Sequence, residues 1–278
     1  MQILQAIILG IVQGLTEFIP VSSSAHLLVI EKMMGWNTGA LAFDVALHGG
    51  TLVALLCFFW KDWLSILSSF GRRVFRGIPY GKQPENTRTG KLLVPIIVAT
   101  VPAAILGLKF DKHIESMREK PWMLPAVAGA LVLIAVVMLL AERVGQKKLA
   151  IGSMGYADYI IVGCAQALAL FPGVSRSGIT ISAGLFRGLD RAAAARFSFL
   201  LSTPIIFGAG LKALWDLHKT GLPRGEVMVF VVGFIAAAVS GYLAVRFLMS
   251  YLQRGSLKVF AAYRFIVAAA ILAIFFCF

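Results

Sequence analysis

Charge is what this sequence has least of. Asp, Glu, Lys and Arg make up 14% of its 278 residues, against about 25% in a typical soluble domain. Acidic residues are the scarcer sign, 13 against 26 Lys and Arg, while 59% of the chain is apolar and mean hydropathy is +0.85. This excludes an ordinary soluble domain and points to an integral membrane protein. The apolar runs approach the length of a membrane span and lack the period-two alternation of barrel strands, so helices are expected and a barrel is not. Cysteine is also sparse. Cys57, Cys164 and Cys277 lie in apolar runs without metal-ligand spacing, as buried small apolar residues do. No Lys or Arg precedes the first apolar stretch, which argues against a cleavable signal peptide.

The net charge of +13 would suggest nucleic acid in a soluble chain. Here many basic residues sit in loops beside apolar runs, where they orient the chain and meet anionic lipid, so no nucleic-acid partner is expected.

Two stretches break the apolar pattern in the same way. Gln13–Leu27 reads QGLTEFIPVSSSAHL and Gln166–Thr180 reads QALALFPGVSRSGIT. Their opening glutamines are 153 residues apart (166 − 13). Each runs through Phe18 or Phe171, breaks at Pro20 or Pro172, and continues through Val21-Ser22 or Val174-Ser175. Proline lacks an N–H and disfavours helical backbone in the residue before it, while serine caps a following helix. Each stretch therefore predicts two helical arms, the second too short to span alone.

Three spans are expected after each broken stretch: Leu41–Trp60, Leu92–Leu108 and Met123–Ala141 in the first half, then Ala193–Leu217, Val227–Leu248 and Val259–Phe278. The segment between the first two spans is the most basic and is placed in the cytoplasm, with Arg143, Lys147, Lys148, Arg246, Arg254 and Lys258; the mixed-sign loops Lys109–Trp122 and Asp216–Glu226 are placed outside. A hairpin adds no crossing and three spans add an odd number, so the second half is inverted. The expected fold is an all-α polytopic membrane protein. It is an inverted-topology repeat with six full transmembrane helices and two re-entrant helix-loop-helix hairpins, Ile3–Met34 and Tyr156–Gly188. It forms one membrane domain over 1–278, with halves of about 1–148 and 149–278.

The polar residues at the breaks carry chemistry. Gln13 and Glu17 share a helix face, where carboxamide and carboxylate can ligate a hard cation or take a proton. Ser22, Ser23, Ser24 and His26 follow. In the second stretch, Gly173, Ser175, Ser177, Gly178 and Thr180 surround the start of a helix, whose free N–H groups and dipole favour an anion; Arg176 adds a planar fork suited to phosphate. One segment offers base, nucleophile or metal ligands and the other a phosphate cradle, a constellation for phosphoryl transfer. A pyrophosphate exceeds the charge of Arg176, so Mg²⁺ or Ca²⁺ on oxygen ligands, Glu17 and Gln13 among them, is expected. Either Ser23 or His26 can attack phosphorus with the other as acid–base partner. Asp44 and His48 are equally suited to line the cavity or to a structural role. His113 and His218 are read as solvated loop residues, and Arg264 as a second-half support for the site.

These motifs resemble those of the undecaprenyl-pyrophosphate phosphatase family, also called bacitracin-resistance proteins. The resemblance rests on Gln13-x-x-x-Glu17, then Pro20–Ser23 and His26, and on Pro172, Gly173, Ser175, Arg176, Ser177 and Thr180, with Tyr263-Arg264-Phe265 near the end. Many members have Glu where this chain has Gln13. The resemblance implies a metal-dependent phosphatase that removes the terminal phosphate of a polyprenyl pyrophosphate. It implies a multi-pass protein of the bacterial inner membrane, with the active site on the periplasmic or outer side and the lipid carrier recycled for cell-wall synthesis. A homodimer is left open. Architecture alone fits a second class equally, a secondary transporter or lipid flippase with an anion site at the repeat interface.

Overall fold

Each break forms where its proline and serine residues direct. The computed structural model describes residues 2–36, 41–77, 90–118, 120–220 and 227–277. Helix α1 (Ile3–Phe18) ends at Ile19, which turns extended ahead of Pro20, and α2 (Ser23–Met34) starts one residue after Ser22 at φ 79°. In the second half α7 (Tyr156–Leu168) winds out through Pro172 and Gly173, and α8 (Arg176–Phe186) starts one residue after Ser175 at φ 69°. Ser22 and Ser175 are thus both left-handed non-glycine residues, unusual backbone for a side chain, and they lie 153 positions apart (175 − 22). Gly173 at φ 93° completes the second break, where a β-carbon would also crowd the Val127 carbonyl.

Between and after the breaks run α3 (Leu41–Phe58), α4 (Trp60–Arg76), α5 (Leu93–Arg118), α6 (Met123–Val144), α9 (Arg191–Thr220), α10 (Val227–Tyr251) and α11 (Lys258–Cys277). The chain is all-helical among the described residues, apart from one isolated parallel bridge between Leu149 and Leu189. Among the described residues five helices are long and apolar enough to cross a membrane, within α5, α6, α9, α10 and α11. A sixth span counts only if α3 and α4 are taken together across their 73° bend. The protein is therefore a multi-pass membrane protein, with five or six candidate spans among the described residues.

Two loop expectations are corrected. The basic segment after Trp60 is helix α4 as far as Arg76, not loop, because Leu64, Leu67, Val74 and Phe75 recur at helical spacing among its charges and Gly77 supplies a left-handed stop; Lys82, Glu85 and Arg88 lie outside the described residues. Likewise α5 runs on through Lys109 to Arg118, which puts His113 on a helix, as His218 is on α9. Both histidines are exposed.

Small residues bring helices close where no hydrophobic force between helices operates. At Gly14 of α1 a β-carbon would strike Ser240 and the Ala237 carbonyl of α10, and at Gly163 of α7 it would strike the backbone of Ala99 on α5. The two broken segments are thus each anchored on a long helix of the other half, α1 on α10 and α7 on α5. At one end Glu142, its side chain 1% exposed, binds Nε and Nη2 of Arg191, Lys147 and the Leu257 N–H, tying α6 to α9 and to the α10–α11 turn.

Candidate active site

The last turn of α1 and the first turns of α2 and α8 meet at Glu17. Its Oε2 accepts from Gln13 Nε2 at 3.0 Å and from Ser23 Oγ at 2.6 Å, and its Oε1 pairs with the Arg176 guanidinium. Both partners of that pair are nearly buried, with side chains 9% and 13% exposed. A carboxylate so placed is costly alone and tolerable when paired and hydrogen-bonded. Arg176 also donates to the Ser202 carbonyl of α9 at 3.3 Å.

Ser23 and Arg176 are each the first residue of their helix. Ser175 caps α8 by accepting from Gly178 N at 3.2 Å, whereas Ser22 makes no side-chain cap and its hydroxyl meets Ser24 Oγ at 3.2 Å. The leading N–H groups of α2 therefore remain available to an anion. Glu17, Ser22, Ser23, Ser24, Ser175 and Arg176 line one cavity of about 220 Å³, together with Thr16, His48 and Gln166.

Arg264 fastens the two breaks together. It is 0% exposed, and its guanidinium donates to carbonyls of Pro20 in the first break, Gly173 and Val174 in the second, and Ala130 and Leu131 on α6. A second link runs from Gly173 N to Ser24 Oγ at 3.3 Å.

A family model described as bacitracin resistance protein BacA matches residues 6–270. The chain belongs to the bacitracin resistance protein BacA family. It is 44% identical over 277 residues to an undecaprenyl-diphosphatase of Thermodesulfovibrio yellowstonii, covering 99% of this chain and 98% of that one. Undecaprenyl-diphosphatases of Moorella thermoacetica and Rubrobacter xylanophilus are each 45% identical, again over 99% of this chain and 98% of theirs.

The BacA-family motif residues do not all reach the cavity. In the first motif His26 turns away towards α11. Its Nδ1 lies 2.7 Å from the Ser22 carbonyl, which only accepts, so Nδ1 carries the proton, and in the neutral ring Nε2 accepts from Tyr263 Oη at 2.8 Å. The two rings are nearly parallel, 5° apart. In the second motif Ser177 is buried against Ser175, and Thr180 bonds the Arg176 carbonyl and Ser198 Oγ, fixing α8 to α9. Gly173, Ser177 and Thr180 thus stand behind the cavity wall. His48 is brought to the cavity, with its Nδ1 2.7 Å from the Asp44 carbonyl.

Tyr263 and the Ser202 carbonyl were not legible as site elements, and nothing in the sequence brings Tyr263 to His26 across 237 positions. Gln166 had a signal, its equivalence to Gln13. Both glutamines are buried, and Gln166 has neither side-chain polar atom bonded within the protein.

The donor set fits a divalent cation in part. No three His, Cys, Asp or Glu side chains gather to hold a metal among the described residues. The buried Gln13 Oε1, however, has no hydrogen-bond partner among the described residues and sits on the side chain bonded to Glu17. A hard cation held by these two residues would take its remaining ligands from phosphate oxygens and water, as Mg²⁺ commonly does.

Proposed function

We propose that this chain is an integral-membrane phosphatase that hydrolyses undecaprenyl pyrophosphate to undecaprenyl phosphate and inorganic phosphate. The observation that carries the chemistry is Glu17, which holds the Ser23 hydroxyl and the Arg176 guanidinium at one polar cavity.

Ser23 is the nucleophile in this reading, and Glu17 its base. Arg176 starts paired with Glu17, and an incoming terminal phosphate competes for the guanidinium and frees the carboxylate. Glu17 takes the Ser23 proton as Oγ bonds to phosphorus and the bridging P–O bond breaks. Undecaprenyl phosphate leaves. Glu17 passes the Ser23 proton to the departing phosphate and, a carboxylate again, takes a proton from the water that attacks the phosphoserine and gives it to the released Ser23 Oγ as inorganic phosphate leaves. Arg176 and the N–H groups that open α2 stabilise the charge developing on the phosphoryl oxygens. His26 has both ring nitrogens engaged away from the cavity, which favours Ser23 over it. Mg²⁺ or Ca²⁺ on Glu17 and Gln13 would offset the remaining charge of the pyrophosphate.

The two broken segments are re-entrant hairpins of an inverted repeat in this reading, within one domain of six spans. The matched left-handed serines support it, as do the matched packing of α1 on α10 and α7 on α5. In this reading the protein sits in the bacterial inner membrane with the site opening outward, and the basic segments lying on the cytoplasmic side support that orientation. The test is phosphate release from undecaprenyl pyrophosphate by the purified protein, with and without chelator. Release that the chelator stops is expected; transport of the lipid with no phosphate released would replace the phosphatase by the transporter reading.

A further inference from the structure

The phosphate cavity is lined by apolar as well as polar residues. Besides Glu17, Ser23 and Arg176 its wall includes Leu170, Ala103 of α5, and Ile205, Ile206 and Ala209 of α9. Ala209 lines the cavity and is also exposed. On the other side of α9, Phe207 is 54% and Leu211 52% exposed, lipid-facing in character, as is Ile105 of α5 at 58%. Gly208 and Gly210 on either side of Ala209 face open space, since a β-carbon on either would meet nothing within 4 Å. An interior proline lies beside the mouth on each helix, Pro102 on α5 and Pro204 on α9, so each lacks a helical hydrogen bond there.

We propose that the gap between α5 and α9 is the portal through which the isoprenoid chain of the substrate passes from the cavity into the bilayer. The inference rests on the phosphatase reading for its ligand. A polyprenyl pyrophosphate has the polarity of this cavity, a charged head and an apolar tail. A cavity of about 220 Å³ holds the head and the start of the tail, and the rest of a long chain has to leave through an apolar wall. A second apolar groove lies between α2, α6 and α11, near Val29 and Ile271. It is larger, about 590 Å³, but shares no wall residue with the phosphate cavity. A tail lying there would have no continuous path to Ser23.

Ala209→Trp fills the portal without touching a residue that handles phosphate. The purified full chain is assayed on isopentenyl, farnesyl and undecaprenyl pyrophosphates. The expected result is a defect that grows with chain length, reaching about tenfold or more in kcat/KM for undecaprenyl pyrophosphate, mostly through KM, and under about threefold for the shortest substrate. Equal losses on all three, or none, overturn the portal. Crosslinking the wild type with a polyprenyl pyrophosphate carrying a photoreactive group along its tail decides the matter even if the variant does not fold. Adducts at residues 205–209 or at Ala103 support the portal, and adducts confined to the α2–α11 groove overturn it. Absence of phosphate release by the wild type from every substrate would instead remove the phosphatase reading, while the adducts would still report where the tail lies.

Discussion

The two broken segments share a backbone and divide the chemistry. At the 153-residue offset Gln13 matches Gln166 and Ser22 matches Ser175, but Glu17 matches Leu170, Ser23 matches Arg176 and His26 matches Ile179. The scaffold residues are kept and the functional ones differ. The reason is electrostatic. Two copies of one chemistry would set a carboxylate against a carboxylate, or a guanidinium against a guanidinium, in a site where like charges are expensive. Unlike halves let Glu17 and Arg176 neutralise each other, and in the proposed reaction an arriving phosphate takes the place of that pairing.

The largest expected effect comes from removing the first segment's chemistry. Ser23→Ala should lower kcat by about 10³-fold or more with the protein still folded, and Glu17→Gln should do nearly as much. Single-turnover phosphate release measures both. A phosphohistidine trapped by acid-free quench in the wild type would instead make His26 the nucleophile.

Next comes the second segment. Arg176→Lys keeps the charge but loses the planar fork, and about 10²-fold in kcat/KM should go with it, KM rising as well. Unchanged KM would mean that Arg176 meets the phosphate only in the transition state.

Arg264→Leu tests whether the halves need fastening. It leaves up to five buried carbonyls without this donor, and about 3 kcal/mol of stability should be lost. Thermal unfolding in detergent measures it, and a wild-type midpoint would show that the breaks hold themselves.

Leu170→Glu makes the halves more alike. Leu170 lines the cavity, so a carboxylate there should repel the pyrophosphate and weaken binding by about tenfold. A binding assay with a non-hydrolysable analogue reads this directly, and tighter binding in the presence of Mg²⁺ would reveal a created metal site instead.

The smallest effect is expected at Tyr263→Phe. It removes the donor to His26 Nε2 but leaves the ring contact, and about threefold in kcat is expected. A loss as large as that of Ser23→Ala would place His26 and Tyr263 in the chemistry.

The sequence by itself determined the class of protein, the positions of both breaks and the residue types for phosphoryl transfer. These are properties of short windows. Hydropathy sums over a span, proline acts on its own N–H and its neighbour, and serine caps the helix that follows it. Helix α4 lies at the edge of that reach, since its charges masked an apolar face that only a helical period reveals. What the tertiary structure alone decided is who meets whom. Glu17 and Arg176 are 159 positions apart, His26 and Tyr263 237, and Pro20 and Arg264 244. His26 looked from its place beside Ser23 like a partner in catalysis, and the fold turns it to α11 instead. Such pairings depend on how whole helices pack, through close approaches such as Gly14 against Ser240, and no local dihedral preference encodes them.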